Sequence, residues 1–198
     1  MAQSARGTPK AVDRRNGGVD NARRLVYILY MRSFTSDELD LLIATARKKS
    51  EADAMLIQTM FNHGLRVSEG IELGPENLTG EGKLYVERLK GSKTTTQSLN
   101  AGERDFLLVN LPSGKPFKQH RSTVWRKIQR YCKQAGIDST KAHPHTLKHT
   151  TGRLAYKAGV GIPEIQAILG HVNGSNTMVY MQADEDEAYN SFAAAVGR

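Results

Sequence analysis

The feature that most restricts the fold is a pair of β-prone runs, residues 83–90 and 93–99, that stand between segments with helical periodicity. The two runs flank Gly91-Ser92, and a two-residue turn that begins with glycine predicts an antiparallel hairpin with a type II′ turn. No internal repeat accompanies them. We therefore expect an α+β fold that is mostly helical and contains one small antiparallel sheet.

Helical patterns lie on both sides of this hairpin. Thr35 and Glu38 have the spacing of a capping box before an apolar face, which predicts a helix start. Gly64 is placed to end a later helix. Residues 100–121 show no clear periodicity and are expected to form a connection. The expected helices cover about 52–62, 67–73, 122–135, 147–157, 163–169 and 176–182, with a final one through 184–196.

Charge is distributed unevenly along the chain, whose net charge is +8 and whose pI is about 9.6. Residues 1–24 carry six basic and two acidic side chains, a net +4, whereas residues 181–198 carry one basic and four acidic ones, a net −3. Because residues 1–24 also lack apolar periodicity, we expect a flexible basic arm there. One domain is expected over residues 25–198, entered through an apolar strand or buried segment at 25–31. A basic body with a basic arm suits a polyanion, most commonly nucleic acid.

Several functional classes leave no signature in the sequence. No run approaches the roughly 18 apolar residues of a membrane span, and we expect a cytoplasmic protein. The single cysteine, Cys132, excludes an internal disulfide. Phosphate-binding GxxxxGK[ST], HExxH, GxSxG and paired-cysteine zinc patterns are absent. His143, His145 and His149 are spaced as in some metal sites, but no carboxylate or second cysteine clusters beside them, and we expect no metal ion or other cofactor.

What remains is a set of cations and histidines with one well-placed tyrosine. The set consists of Arg66 at a helix start, Lys90 at the tip of the hairpin, His145 and Lys148 one helical turn apart, His171 after a Leu-Gly pair, and Tyr180 nine residues later. Taken singly, each has an ordinary explanation as a solvated cation, a capping histidine or a packed tyrosine. Taken together, they follow a pattern with a chemical rationale.

The string Asn62-His-Gly-Leu-Arg66-Val-Ser-Glu69 resembles the first signature box of the tyrosine recombinases, the phage integrases and their Xer-like relatives. The string His143-Pro-His145-Thr-Leu-Lys-His-Thr150, followed by Leu169-Gly-His171 and Tyr180, resembles their second box. The resemblance covers residues 34–183 and is weakest between 100 and 120. It implies the catalytic domain of that family, which cleaves and rejoins double-stranded DNA through a 3′-phosphotyrosine intermediate.

The resemblance also implies roles for the matched residues. Fixed cations and histidines would stabilise the extra charge that the phosphate gains in the transition state. Tyr180 would be the nucleophile, and because its unperturbed pKa is near 10 it needs a base or a strongly positive pocket to attack; His145 would be the base. Lys90 would protonate the departing 5′-hydroxyl, with Lys93 as the alternative. Contacts to the attacked phosphate are implied for Arg66, His145, Lys148 and His171.

The chain departs from the family pattern at Lys148, where arginine is usual. Lysine keeps the charge but loses the bidentate geometry, so we expect slower chemistry, and we expect a Lys148→Arg variant to cleave as well or faster. Further DNA contacts are expected on the body and in the arm, where basic and hydroxyl side chains can bind phosphates and bases. These candidates are Lys93, Arg121, Ser122, Arg126, Arg14 and Arg15.

Size is the second departure, because only residues 1–33 precede the first matched helix, too few for the N-terminal helical domain of lambda-type integrases and Xer proteins. The chain resembles the small fimbrial-switch invertases, and it could equally be a minimal phage or mobile-element integrase or a truncated form of a longer protein. The family implies a homotetramer on paired DNA sites and a monomer or weak dimer when free. Residues 184–198 are expected to dock in trans on a neighbouring protomer. The expected location is the nucleoid, or the host cytoplasm for a phage-encoded protein.

Two other functions would use the same residues. A type IB topoisomerase-like enzyme would nick and close one supercoiled DNA as a monomer, without strand exchange. A DNA-binding regulator with weakened catalysis is the other alternative. Lys148 permits that alternative, whereas the joint presence of Arg66, His145, His171 and Tyr180 argues against it.

Overall fold

The computed structural model describes residues 33–89, 92–180 and 196. Short 3₁₀ turns at Pro75–Asn77, Leu111–Ser113 and Ser139–Lys141 connect longer elements, and residues 175–180 are helical. The elements are α1 (Ser36–Arg47), α2 (Glu51–Asn62), α3 (Val67–Ile71), β1 (Lys83–Val86), β2 (Thr95–Ser98), α4 (Ala101–Asn110), α5 (Arg121–Gln134), α6 (Pro144–Lys157) and α7 (Ile162–Leu169). The expected α+β fold, mostly helical with one small antiparallel sheet, is confirmed.

Capping boxes explain where two of the helices begin. The Thr35 side chain accepts a hydrogen bond from the Glu38 N–H, and the Glu38 carboxylate accepts one from the Thr35 N–H, so the predicted start of α1 is confirmed. Asn100 and Glu103 form the same arrangement at the start of α4. The prediction of an unstructured connection over residues 100–121 was wrong. Its apolar signal was weak because Leu107 is the one fully buried apolar side chain that α4 presents to the core.

The sheet consists of β1 and β2 in antiparallel register, and its last pair joins Val86 to Thr95. The predicted antiparallel strands are therefore confirmed, but the two-residue connection was wrong, because the first strand ends at Val86 and the second begins only at Thr95. The cause is the burial of Arg88, whose guanidinium donates hydrogen bonds to core carbonyls. The Leu89 N–H is likewise bound to the Glu69 carboxylate. The chain after β1 thus turns inward instead of continuing the ladder.

The main core is apolar and α2 crosses it, in contact with α1, α3, α4 and α6. Burial of one leucine, isoleucine or phenylalanine side chain stabilises the fold by roughly 1.5–3 kcal/mol relative to leaving it exposed. The core therefore supplies most of the driving force for folding. A second, smaller cluster forms where α7 packs on α6, and it contains Ile165, Leu169 and Tyr180. The tyrosine singled out from sequence is therefore a packed side chain in this structure.

Five expectations fall on residues outside the described ranges: the basic arm at 1–24, the apolar run at 25–31, the hairpin tip at Lys90 and Gly91, the helix through 184–196 apart from Val196, and the last two residues of the helix expected at 176–182. Within the described ranges, no helix combines the length and apolarity needed to cross a membrane.

Candidate active site

Arg66 is fixed at the junction between α2 and α3. Gly64 ends the α2 segment with a positive φ of 56°, and a Cβ there would approach the Leu169 side chain to 2.6 Å, so only glycine fits. Arg66 is the N-cap of α3, and its guanidinium donates hydrogen bonds to the Glu69 carboxylate at 2.8 Å and to the Ser92 hydroxyl at 3.1 Å. Its side chain remains 25% exposed. The guanidinium is thus oriented but still open to a ligand.

Glu69 orients Arg66 from a fully buried position. Its carboxylate also binds Arg88 at 3.1 Å and accepts a hydrogen bond from the Leu89 N–H at 3.2 Å. Burial alone would raise the pKa of Glu69, but hydrogen bonds from Arg66 and the charge of Arg88 outweigh it, and the pKa falls below its ordinary value. The carboxylate therefore stays ionised between two arginines.

Arg88 joins three parts of the fold around this carboxylate. Besides Glu69, its buried guanidinium donates hydrogen bonds to the carbonyls of His63 at 2.7 Å, Gly64 at 2.9 Å and Ile168 at 2.7 Å. It thereby ties the end of α2 and the end of α7 to the segment that follows β1. Arg88 and Glu69 were not among the site residues predicted from the sequence. Glu69 stands three residues after Arg66, the spacing at which a carboxylate can accept the backbone N–H at a helix start. Nothing in the local sequence marks Arg88.

Lys148 lies on α6 with its side chain buried. Its Nζ donates a hydrogen bond to the Leu169 carbonyl at 2.7 Å. Burial first, and then the positive charges of Arg88 and Arg66 against the opposing effect of Glu69, lower the pKa of Lys148 to about 7. The lysine at the family's arginine position is therefore poised to gain or lose its charge near neutral pH.

Two histidines occupy the first turns of α6. His145 and His149 are one turn apart, and their rings meet edge to face with centroids 4.6 Å apart. Burial, followed by the charge of Lys148 and of Arg66, lowers the pKa of His145 below its ordinary value. Burial, followed by the neighbouring histidines, lowers the pKa of His149 to about 4. Both imidazoles are therefore neutral at pH 7 and each carries a nitrogen able to accept a proton.

Tyr180 lies beside this pair of histidines. Its hydroxyl oxygen is 3.4 Å from Nδ1 of His149. Its ring packs on Gly152 of α6, where a Cβ would come within 2.4 Å of ring atoms, so the close approach requires glycine. Burial raises the pKa of Tyr180 above its ordinary value, and the phenol is protonated at neutral pH. A nearby acceptor is needed before this oxygen can act as a nucleophile.

His171 is held in the loop after α7. Its Nδ1 lies 2.8 Å from the buried Thr177 hydroxyl, and burial followed by the charge of Lys148 lowers its pKa to about 4. Gly170, with a positive φ of 67°, ends α7, and its carbonyl accepts a hydrogen bond from the Lys93 N–H at 3.0 Å. This bond fixes the connection between β1 and β2 next to the His171 loop.

The structure thus brings Arg66, His145, Lys148 and His171 into one electrostatically coupled cluster, with Tyr180 at its side through His149. Lys90 lies outside the described residues, as do Arg14 and Arg15 of the arm. Lys93 is exposed near the cluster, and Arg121, Ser122 and Arg126 are exposed on α5. Within residues 33–89 and 92–180, no group of three or more His, Cys, Asp or Glu side chains could hold a metal ion.

A protein-family model and several curated relatives match most of this chain. The model of the phage integrase family matches residues 32–187. A tyrosine recombinase from Pseudothermotoga lettingae is 31% identical over 162 residues, which cover 72% of this chain and 54% of the relative. The chain spans about half the length of the curated relatives it matches.

Two solved structures share the fold. The catalytic domain of bacteriophage HP1 integrase superposes with a TM-score of 0.63 at 20% identity, over 76% of this chain and 87% of that domain. The XerH site-specific recombinase, crystallised with a palindromic difH substrate after cleavage, superposes with a TM-score of 0.66 at 17% identity, over 81% of this chain and 52% of that one.

Proposed function

The chain belongs to the phage integrase family of tyrosine recombinases, and we propose on this basis that it cleaves and rejoins DNA strands through a bond between a backbone phosphate and Tyr180. One observation carries the proposal. The Tyr180 hydroxyl lies 3.4 Å from the neutral His149 imidazole, at the side of the cluster that contains Arg66 and Lys148. A phosphodiester brought to that cluster would meet a nucleophile and its acceptor together.

Charge stabilisation would come from Arg66 and Lys148. Attack on a phosphodiester places additional negative charge on its non-bridging oxygens, and oriented cations stabilise that charge. Arg66 offers a fork held by Glu69 and can bind two oxygens. Lys148 offers one point charge, whose ammonium group donates one of its three N–H bonds to the Leu169 carbonyl and keeps two for a phosphate. The phosphate would in turn favour the protonated form of Lys148.

Proton transfer would follow from the neutral histidines. Nδ1 of His149 would accept the Tyr180 proton as the oxygen attacks phosphorus. His145, the base that the family resemblance implies, would be the alternative acceptor. The P–O bond to the 5′ side breaks as the phosphotyrosine bond forms, and the departing 5′-oxygen takes a proton from Lys90, or from Lys93 as the alternative. A 5′-hydroxyl, from the same strand or another, reverses these steps. The bond energy is kept in the phosphotyrosine, so no cofactor is consumed.

The partner would be double-stranded DNA, and exchange between two duplexes would require more than one copy of the chain. We propose a homotetramer on paired sites, with residues 184–198 docking on the neighbouring protomer. Deletion of 184–198 should then abolish assembly on paired sites while leaving attachment to a single site intact. A topoisomerase-like enzyme differs in one respect, because it would relax a supercoiled plasmid as a monomer.

The test is covalent capture from a pool of duplexes that carry a nick and randomised flanking sequence. When the strand is cleaved near the nick, the short fragment between the two breaks dissociates and cannot be rejoined. The covalent protein–DNA adduct therefore accumulates and survives denaturation. Wild type is expected to retain DNA and Tyr180→Phe to retain none. Tyr156→Phe is the matched control, because Tyr156 packs against the same small cluster on α6 and should leave capture intact. DNA retained by Tyr180→Phe at the wild-type level would refute the proposal.

A further inference from the structure

A cleft of about 400 Å³ opens beside the catalytic cluster, between the first turns of α5 and α6. It is lined by Val67, Arg121, Ser122, Trp125, His143, Pro144 and His145. His145 belongs to both the cleft and the coupled cluster, so a ligand bound in the cleft would adjoin the attacked phosphate. Its volume lies in the range of small-molecule sites. The other lining residues have no part in the chemistry described above.

Trp125 gives the cleft an aromatic wall. Its indole Nε1–H lies 3.3 Å from Nδ1 of His143, and the two rings are tilted by 43° with centroids 6.4 Å apart. The polar edge of the indole is therefore engaged by protein, while 42% of the residue is exposed. A large aromatic face fixed at its edge and left open to solvent is an arrangement suited to a planar ligand.

The charge of the cleft selects among planar ligands. Arg121 and Ser122 form the first turn of α5, where backbone N–H groups and the helix dipole also favour anions. None of the residues that line the cleft, all from the described part of the chain, is acidic. A nucleotide fits both the aromatic wall and the positive charge, because it carries a flat aromatic base and a phosphate.

We propose that this cleft receives the base of the nucleotide that adjoins the attacked phosphate, stacked on Trp125. The inference rests on the proposed function and adds a subsite to it. For a strand to be transferred, the freed 5′-end must leave its duplex, so the base next to the break must unpair and expose its face. Stacking on Trp125 stabilises the unpaired base, and Arg121 contacts the flanking phosphate. Trp125 can stack on any of the four bases, because each base has a π-face.

Fluorescence offers a direct test, since Trp125 is the only tryptophan in the chain. The probes are two labelled duplexes of mixed sequence with a nick and a short unpaired 5′-flap, one with bases in the flap and one with abasic residues. The protein is the full chain with Tyr180→Phe, which prevents cleavage. At saturation, judged by probe anisotropy, the flap with bases is expected to quench Trp125 and the abasic flap to leave its emission unchanged. Equal quenching by both flaps, or by neither, would overturn the subsite.

Affinity provides the second measurement. Base stacking on an aromatic side chain corresponds to roughly a five- to 100-fold tighter binding of the flap with bases. Trp125→Ala should reduce the ratio of the two affinities, flap with bases over abasic flap, to about one. Trp125→Phe should keep most of this ratio, because it retains an aromatic ring and loses only the N–H that points to His143. Val109→Ala, an exposed apolar change on α4, is the control and should keep the wild-type ratio. A ratio that survives in Trp125→Ala contradicts the subsite. Covalent capture by wild type tests the proposed function independently.

Discussion

At the scale of single residues, Lys148 is the side chain whose surroundings depart furthest from those of an ordinary surface lysine. It is buried, donates to the Leu169 carbonyl, and has its pKa lowered to about 7 by burial and by the nearby arginines. The unfolded chain would hold this proton up to about pH 10. Folding therefore costs free energy below about pH 7, where a charged lysine must be buried, and this cost declines as pH rises toward 10.

This difference predicts a pH-dependent stability. Between about pH 7 and 10 the unfolded state binds more protons than the folded state, so the contribution of Lys148 to the free energy of unfolding rises with pH and is lost as pH falls toward 7. The amount is a few kcal/mol. Lys148→Met should flatten this rise, as measured by urea unfolding at a series of pH values. Lys127→Met, at a partly exposed lysine on α5, should keep the wild-type slope. Parallel curves for wild type and Lys148→Met would contradict the assignment.

His149 is the second residue with a testable role, because it holds the Tyr180 hydroxyl. His149→Phe keeps a ring against His145 but removes Nδ1. We expect the single-turnover rate of covalent attachment to fall roughly tenfold, the value of one hydrogen bond in a reacting arrangement. Tyr85→Phe, at an exposed side chain on β1, serves as control. An unchanged rate in His149→Phe would mean that the contact has no part in the reaction.

The residues proposed for the chemistry could be selected from sequence, whereas the side chains that hold them in place could not. Arg66, His145, Lys148 and Tyr180 could be selected because their types and spacing match one family pattern, and the structure brings them together. The contact of Tyr180 with His149, rather than with His145, depends on how the segment after α7 packs on Gly152. Such packing is a property of the tertiary fold and leaves no local signal.

At the scale of elements, the buried pair of Arg88 and Glu69 holds α2, α7 and the segment after β1 together. Removal of one partner from a buried ion pair leaves an uncompensated charge, which typically costs about 3–5 kcal/mol. Arg88→Met should therefore lower the free energy of unfolding by roughly that amount in urea titrations. Arg104→Met, at an exposed position on α4, should change it little. A loss in Arg88→Met no larger than in Arg104→Met would argue against the tie.

The elements that depend on local sequence could be predicted, and those that depend on tertiary contacts could not. Helix starts with capping boxes and strands with β-prone runs depend on neighbours in sequence, so α1, β1 and β2 could be predicted. The prediction of a tight turn was wrong because Arg88 forms a buried ion pair with Glu69, which is distant in sequence, and this pair turns the chain away from the β1–β2 hydrogen bonds. The helix α4 was missed because one of its two buried side chains is Glu103, a polar residue that breaks the apolar pattern.

At the scale of the whole molecule, the net charge of +8 is concentrated in the arm and the body. If residues 1–24 track the phosphate backbone, their deletion should weaken DNA binding and reduce the slope of log affinity against log salt, by up to about five for six lost cations. Fluorescence anisotropy across a salt series measures both. Deletion of 184–198, which removes mainly acidic side chains, is the contrasting variant and should not reduce the slope. A slope unchanged without residues 1–24 would exclude the arm from the interface.

The most direct test of the account is to locate the bond between protein and DNA. The captured adduct is digested with nuclease and trypsin, and the nucleotide-bearing peptide is sequenced by mass spectrometry. Residues 158–198 form one tryptic peptide that contains both Tyr180 and Tyr189, so fragmentation within it distinguishes the two. We predict a nucleotide joined through its 3′-phosphate to Tyr180. A nucleotide on Tyr189, or one joined through a 5′-phosphate, would contradict the account.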